Sequence, residues 1–211
     1  MAIELKRETR IYKITGLTPI LGSCPANPEI YSTYVANQIE EQKAEMEARF
    51  LPEQEIEEKG MTVFMRYSNG GLCVHNHVIK GFFKEALRTL KDQLGLKATD
   101  GKVDNFVFVS PEFITFRDDN GALYKEPDSY NERPLRANTM QGPRTSLAKS
   151  EQLHEGWTLE FSVTLFPGIK TAKSDCIEWD DIEAALAYGA YKGLGQWRNA
   201  SWGSFTFERV E

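Results

Sequence analysis

The stretch of this chain best suited to holding a ligand runs from Gly193 to Phe205, with the sequence GLGQWRNASWGSF. Glycines such as Gly193, Gly195 and Gly203 let a backbone come close to a ligand. Arg198 offers a planar fork to phosphate oxygens, and Trp197 and Trp202 offer faces on which bases stack. The same residues also suit a structural loop whose tryptophans complete a core, and residue types alone leave both readings open.

Other cations gather in two places. Residues 133–149 hold Arg133, Arg136, Arg144 and Lys149 and no acid. Such a +4 loop either grips phosphates, with binding that weakens as salt rises, or is merely solvated. Between 78 and 94, Lys80, Lys84, Arg88 and Lys91 recur at steps of four, four and three, which places them on one helical stripe opposite the apolar face. His75 and His77 flank Asn76 just before that helix. Histidine beside a phosphodiester can act as general acid or base, yet at i and i+2 on a strand end the two side chains face opposite ways. Capping or packing is the other role open to them. There is no HxxxH, CxxC or partnered carboxylate motif, so neither a metal nor a cofactor is expected.

These residues need elements to position them. At 211 residues, with 41% hydrophobic and 11% aromatic side chains, the chain reads as a single globular domain, 1–211, with insertions. No run approaches the roughly 18 apolar residues of a membrane span and no signal peptide is legible, so a soluble protein is expected. Cys24, Cys73 and Cys176 lie far apart and cannot all pair, which fits a reducing cytoplasm. Asn199-Ala200-Ser201 matches a glycosylation sequon, which means nothing without secretion. A net charge of −6 argues at first against nucleic acid, but its distribution reverses the inference. Residues 29–58 carry nine Glu against Lys43 and Arg49, or −7, and leave the remainder near neutrality at +1.

Residues 10–17 (RIYKITGL) predict a strand with Ile11, Ile14 and Leu17 as its apolar set. Residues 29–51 predict a solvated helix ended by Pro52, followed by an acidic linker to Gly60. Residues 61–74 read as a hairpin around Asn69-Gly70. From Val78, apolar residues at Ile79, Phe82, Phe83, Ala86, Leu87, Leu90 and Leu94 predict a helix, with Asn76 as N-cap and Gly95 past its end. Short strands follow at 106–109 and 113–116. Residues 125–156 are polar and too long for an ordinary connection, which makes them a functional loop or long hairpin. Strict alternation from Trp157 to Leu165 predicts an antiparallel strand with one buried face. A helix at 179–192, opened by a capping box at Asp180 to Glu183, and a last strand at 205–210 complete the chain. With the insertions at 29–60, 61–74 and 125–156 set aside, the order is that of an α+β, ferredoxin-like βαββαβ (RRM-like) core.

Four blocks of sequence, in this order, carry a resemblance. They are ITGLTPILGS (14–23), HVIKGFFKEALRTL (77–90), RPLRANTMQGPRTSLAKSEQLHEGWTLEFSVTL (133–165) and GLGQWRNASWGSF (193–205). Together they resemble the first strand and loop, the first helix, the basic thumb hairpin with its following strand, and the C-terminal glycine-rich loop of the RAMP superfamily, the CRISPR-associated RNA-binding proteins. The closest likeness is to the backbone subunits of effector complexes. Two features depart from the pattern: Ala200 and Ser201 stand where a second basic residue is usual, and the acidic segment at 29–58 has no counterpart.

The resemblance implies a non-catalytic, cytoplasmic ribonucleoprotein component in antiviral defence. It would bind single-stranded RNA, or single-stranded DNA, through Lys80, Lys84, Arg133, Arg136, Arg144, Lys149, Gly193, Gly195, Trp197, Arg198, Trp202 and Gly203. Its protein partners would be further copies of itself or other CRISPR-like subunits, with no membrane. Target-cleaving backbone subunits carry an aspartate after the first strand, and Gly22 to Tyr31 contains none. Two rival readings remain. One is a metal-independent endoribonuclease using His75 or His77. The other is a RAMP-scaffold protein whose acidic helix binds or inhibits a partner complex.

Overall fold

The computed structural model describes residues 6–26, 61–97, 99–139, 142–166 and 176–211, with side chains over all of these but 135–146. The expected acidic helix and linker at 29–60 lie outside the described residues. The core elements, in chain order, are β1 (Glu8–Gly16), α1 (Asn76–Leu94), α2 (Thr99–Phe106), β2 (Val107–Ser110), β3 (Thr158–Leu165), α3 (Trp179–Tyr188) and β4 (Phe205–Arg209). The four strands form one antiparallel sheet in the order β4-β1-β3-β2. With the helices after β1 and β3, this is the ferredoxin-like α+β arrangement. α1 and α3 pack against each other, α1 also meets β2, and α3 also meets β4, so both helices lie on one face of the sheet.

Period and burial agree in β3 from Leu159 onward, where Leu159, Phe161, Val163 and Leu165 are buried and Glu160, Ser162 and Thr164 between them are half-exposed or exposed, while Thr158 at the strand's start is buried too. In β1 the buried residues are Tyr12, Ile14 and Gly16, while Ile11 is half-buried and Leu17 lies half exposed beyond the strand, which corrects the expected apolar set. α1 buries Ile79, Phe82, Phe83, Ala86 and Leu87. Each large side chain among them is worth about 1.5–3 kcal/mol in removal from water. The N-cap of α1 is His75 rather than Asn76: His75 Nδ1 accepts from the His77 amide at 3.3 Å, and Asn76 Nδ2 donates instead to the Val109 carbonyl at 2.9 Å. Gly95 ends the helix in the left-handed conformation. The box that opens α3 also differs, since Glu178 is the N-cap and its amide donates to Asp181 Oδ2 at 2.8 Å. α3 ends at Tyr188, before the expected 192.

Two smaller sheets flank the core. Met65–Arg66, Leu72–His75 and Phe113–Thr115 form one of them, so the expected hairpin forms around Gly70 and the expected strand at 113–116 joins it rather than the main sheet. The other is built on Ser129–Thr139 and Gly142–Leu153, a long antiparallel hairpin whose second strand also pairs with Ile20–Leu21 and Thr62–Val63. Glu151, almost fully buried at the hairpin base, accepts from the Phe64 amide at 2.8 Å and from Arg66 Nη2 at 2.8 Å. No described helix is long and apolar enough to cross a membrane.

Candidate nucleic-acid interface

The glycine-rich loop leaves α3 and returns as β4, and its two ends touch backbone to backbone. A Cβ on Gly193 would lie 2.0 Å from the Gly203 carbonyl carbon, and one on Gly203, which has φ +70°, would lie 2.1 Å from the Leu194 carbonyl oxygen. Only glycine fits at either position. Gly195, with φ +75°, turns the chain against Leu21. The loop is tied down by Leu194 N to Gly203 O at 2.9 Å, Gly203 N to Pro19 O at 2.8 Å, and Thr18 Oγ1 to Ser201 O at 2.8 Å. Its middle is a turn of 3₁₀ helix, Arg198–Ala200, flanked by Trp197 and Ser201 in left-handed conformations that non-glycine residues seldom adopt. That geometry sets Trp197 at the surface, 44% exposed.

Arg133 joins the hairpin to this loop. The Arg133 guanidinium lies over the Trp197 ring at 4.7 Å, and its Nη2 donates to Gln196 Oε1 at 3.0 Å. Trp202 stacks on Trp197 with centroids 5.7 Å apart and planes 22° apart. Burial holds the Arg133 guanidinium below its ordinary value, and its Nε is buried with no hydrogen-bond partner among the described residues. Arg133, Trp197 and Trp202 thus form one short stack joining segments about sixty residues apart in sequence.

Beneath it lies a second group. Glu85 of α1 accepts from Lys192 Nζ at 2.6 Å through Oε1 and from Arg198 Nη1 through Oε2. These three line a shallow cleft of about 370 Å³ with Gly195, Trp197 and Asn199. Burial alone would raise the Glu85 carboxyl, but the Lys192 hydrogen bond and the charges of Arg198 and Lys192 outweigh it and hold it below the usual carboxylate value. Arg198 therefore sits where it was expected, but paired. Glu85, Lys192 and Gln196 are the members of this site that reading the sequence missed. The signals were slight: Glu85 is an acid within a basic helix, and Lys192 directly precedes the first loop glycine.

Lys80, Lys84 and Lys149 are engaged elsewhere. Lys84 pairs with Asp104 at 2.6 Å, Lys80 donates to the Asp104 carbonyl at 3.0 Å and lies over Phe108, and Arg88 pairs with Asp100. Lys80, Lys84 and Arg88 of the α1 stripe are thus turned to α2 rather than left bare. Lys149 pairs across the hairpin with Glu132 at 3.1 Å. Arg136 and Arg144 stand on opposing hairpin strands, opposite Thr145 and Ala137. His75 and His77 do not diverge: their rings lie 4.4 Å apart because the helix has already begun at Asn76. His75 uses Nδ1 as the cap and places Nε2 3.2 Å from Glu112 Oε1. Burial and the neighbouring charge of His75 push His77 below the ordinary histidine value. No group of three or more metal-ligating side chains occurs among the described residues.

No family model matches this chain, and no curated protein matches it. Among solved structures it is similar to a chain in the "Cryo-EM structure of the Type III-B Cmr-beta bound to cognate target RNA", at 10% identity and a TM-score of 0.48. The match covers 98% of this chain and 60% of that one, so the present chain spans less than two thirds of its neighbour's length.

Proposed function

We propose that this protein binds single-stranded nucleic acid, RNA before DNA, on the surface made by the hairpin base and the glycine-rich loop. The observation that carries the reading is the Arg133 to Trp197 contact, which joins the two segments of sequence best suited to phosphate and base. A stacked guanidinium without an acid partner among the described residues, next to a partly exposed indole, offers a phosphate and a base their usual partners within one reach. The mechanism is phosphate neutralisation with stacking, and no bond is made or broken. In this reading the chain is a subunit of a ribonucleoprotein assembly of the CRISPR-associated type, and its protein partners are further copies or other subunits.

The test is fluorescence anisotropy with labelled RNA and DNA of about 30 nucleotides at about 50 mM salt, together with the 260 to 280 nm absorbance ratio of the purified protein. Saturable binding that weakens steeply with salt, with RNA ahead of DNA, is expected. Absence of binding to both strands at that salt contradicts the reading and leaves the acidic segment as the protein's interaction surface.

A further inference from the structure

We propose that Glu85 is a built-in competitor for phosphate: its carboxylate occupies the two-cation subsite formed by Lys192 and Arg198, and a nucleic-acid phosphate enters the cleft by replacing it. This rests on the binding reading above and adds to it a gate and the class of ligand that opens it. Carboxylate and phosphate recruit the same donors in the same fork and point geometries. Glu85 reaches the site from α1, an element belonging to neither the loop nor the hairpin, and engages each cation with a separate oxygen. All three side chains keep a quarter to a third of their surface in water, at 31% for Glu85, 26% for Lys192 and 34% for Arg198. Ion pairs at such exposure contribute little stability and are readily exchanged.

The competitor also sets selectivity. A free anion must repay the displaced carboxylate from the same two cations and gains nothing else. A phosphodiester carrying a base gains in addition the exposed part of the Trp197 indole, 44% of that residue, and Asn199, which line the same cleft. Specificity of this kind comes from an occupant that the wrong ligand cannot displace. The site is therefore built for an oligonucleotide backbone rather than for phosphate alone.

The experiment measures affinity for the same RNA across a salt series with wild-type protein, Glu85→Gln and the double variant Glu85→Gln/Arg198→Gln. Removing the carboxylate frees about one further cation for the strand, which should steepen the slope of log K against log salt by about 0.7 and raise affinity about tenfold at roughly 50 mM salt. The double variant should lose that gain. Wild-type affinity and slope in Glu85→Gln, with wild-type protein binding normally, would overturn the competitor role and leave the binding surface standing. Absence of binding by all three proteins would remove the surface and the competitor together. Where Glu85→Gln does not fold, Glu85→Asp keeps the charge but retracts it by one methylene; a smaller gain is expected, and an unchanged affinity overturns the proposal.

Discussion

Arg133 lies over the Trp197 ring and Arg198 follows Trp197 directly in the chain, yet their surroundings separate their roles. Arg198 faces Glu85, whereas Arg133 has an indole, the Gln196 amide and Asn131 as partners. Arg133→Lys keeps the charge but loses the planar stack and the fork. It should therefore weaken RNA binding nearly as much as Arg133→Met and lower stability by roughly 0.5–1 kcal/mol, read by anisotropy and thermal melting. If lysine restores binding fully, charge alone matters there. A second prediction concerns His77, whose folded value lies below its unfolded one of 6.5. The unfolded chain then holds more protons over that window, so stability is complete above 6.5 and declines as pH falls towards the folded value. His77→Asn should flatten the fall of the melting temperature below neutral pH, and an unchanged slope would show that another group sets it. Residue types led to Trp197, Arg198 and the glycines. They could not reveal Glu85, because what makes it part of the site is a contact 113 residues away along the chain.

Among the elements, those with a clear period were legible: α1 from its three-and-four spacing and β3 from its alternation. α2 was not, since TDGKVDNF has Val103 as its sole fully buried apolar residue, and ion pairs of Asp100 and Asp104 with α1 hold it in place. The start of α1 was missed by two residues because a histidine, an uncommon N-cap, serves there. At the hairpin base, Glu151 joins strands that are distant in sequence through one buried carboxylate. Glu151→Ala leaves the Phe64 amide and Arg66 without their acceptor and should cost about 2 kcal/mol in denaturant unfolding. Loss of less than about 0.5 kcal/mol would show that the strand pairing alone holds the hairpin in place.

At the scale of the molecule, the strand order could be read from the succession of elements once the insertions were set aside, because short right-handed connections leave few topologies for βαββαβ. The sheet face away from the helices was not legible. It carries the Thr9 to Thr164 hydrogen bond and the Lys13 to Glu208 pair, with Phe108 at its edge, and so offers few free stacking faces. Contact with a strand is therefore expected at the end of the sheet, where the loop and hairpin meet. Charge along the hairpin should act jointly: Arg136→Ala with Arg144→Ala is expected to weaken binding to all sequences alike and to flatten the salt slope by about 1.4, equivalent to two phosphates. An unchanged slope would place the strand's path away from the hairpin.

Ultraviolet crosslinking of the wild-type protein to a uridine-rich RNA of about 30 nucleotides, followed by mass spectrometry of the adducts, tests the placement of the site most directly. The predicted result is adducts in two peptides, the loop Gly193–Gly203 with Trp197 as the modified residue and the hairpin 129–153. Adducts confined to the open sheet face around Phe108, or to the acidic segment, would contradict it.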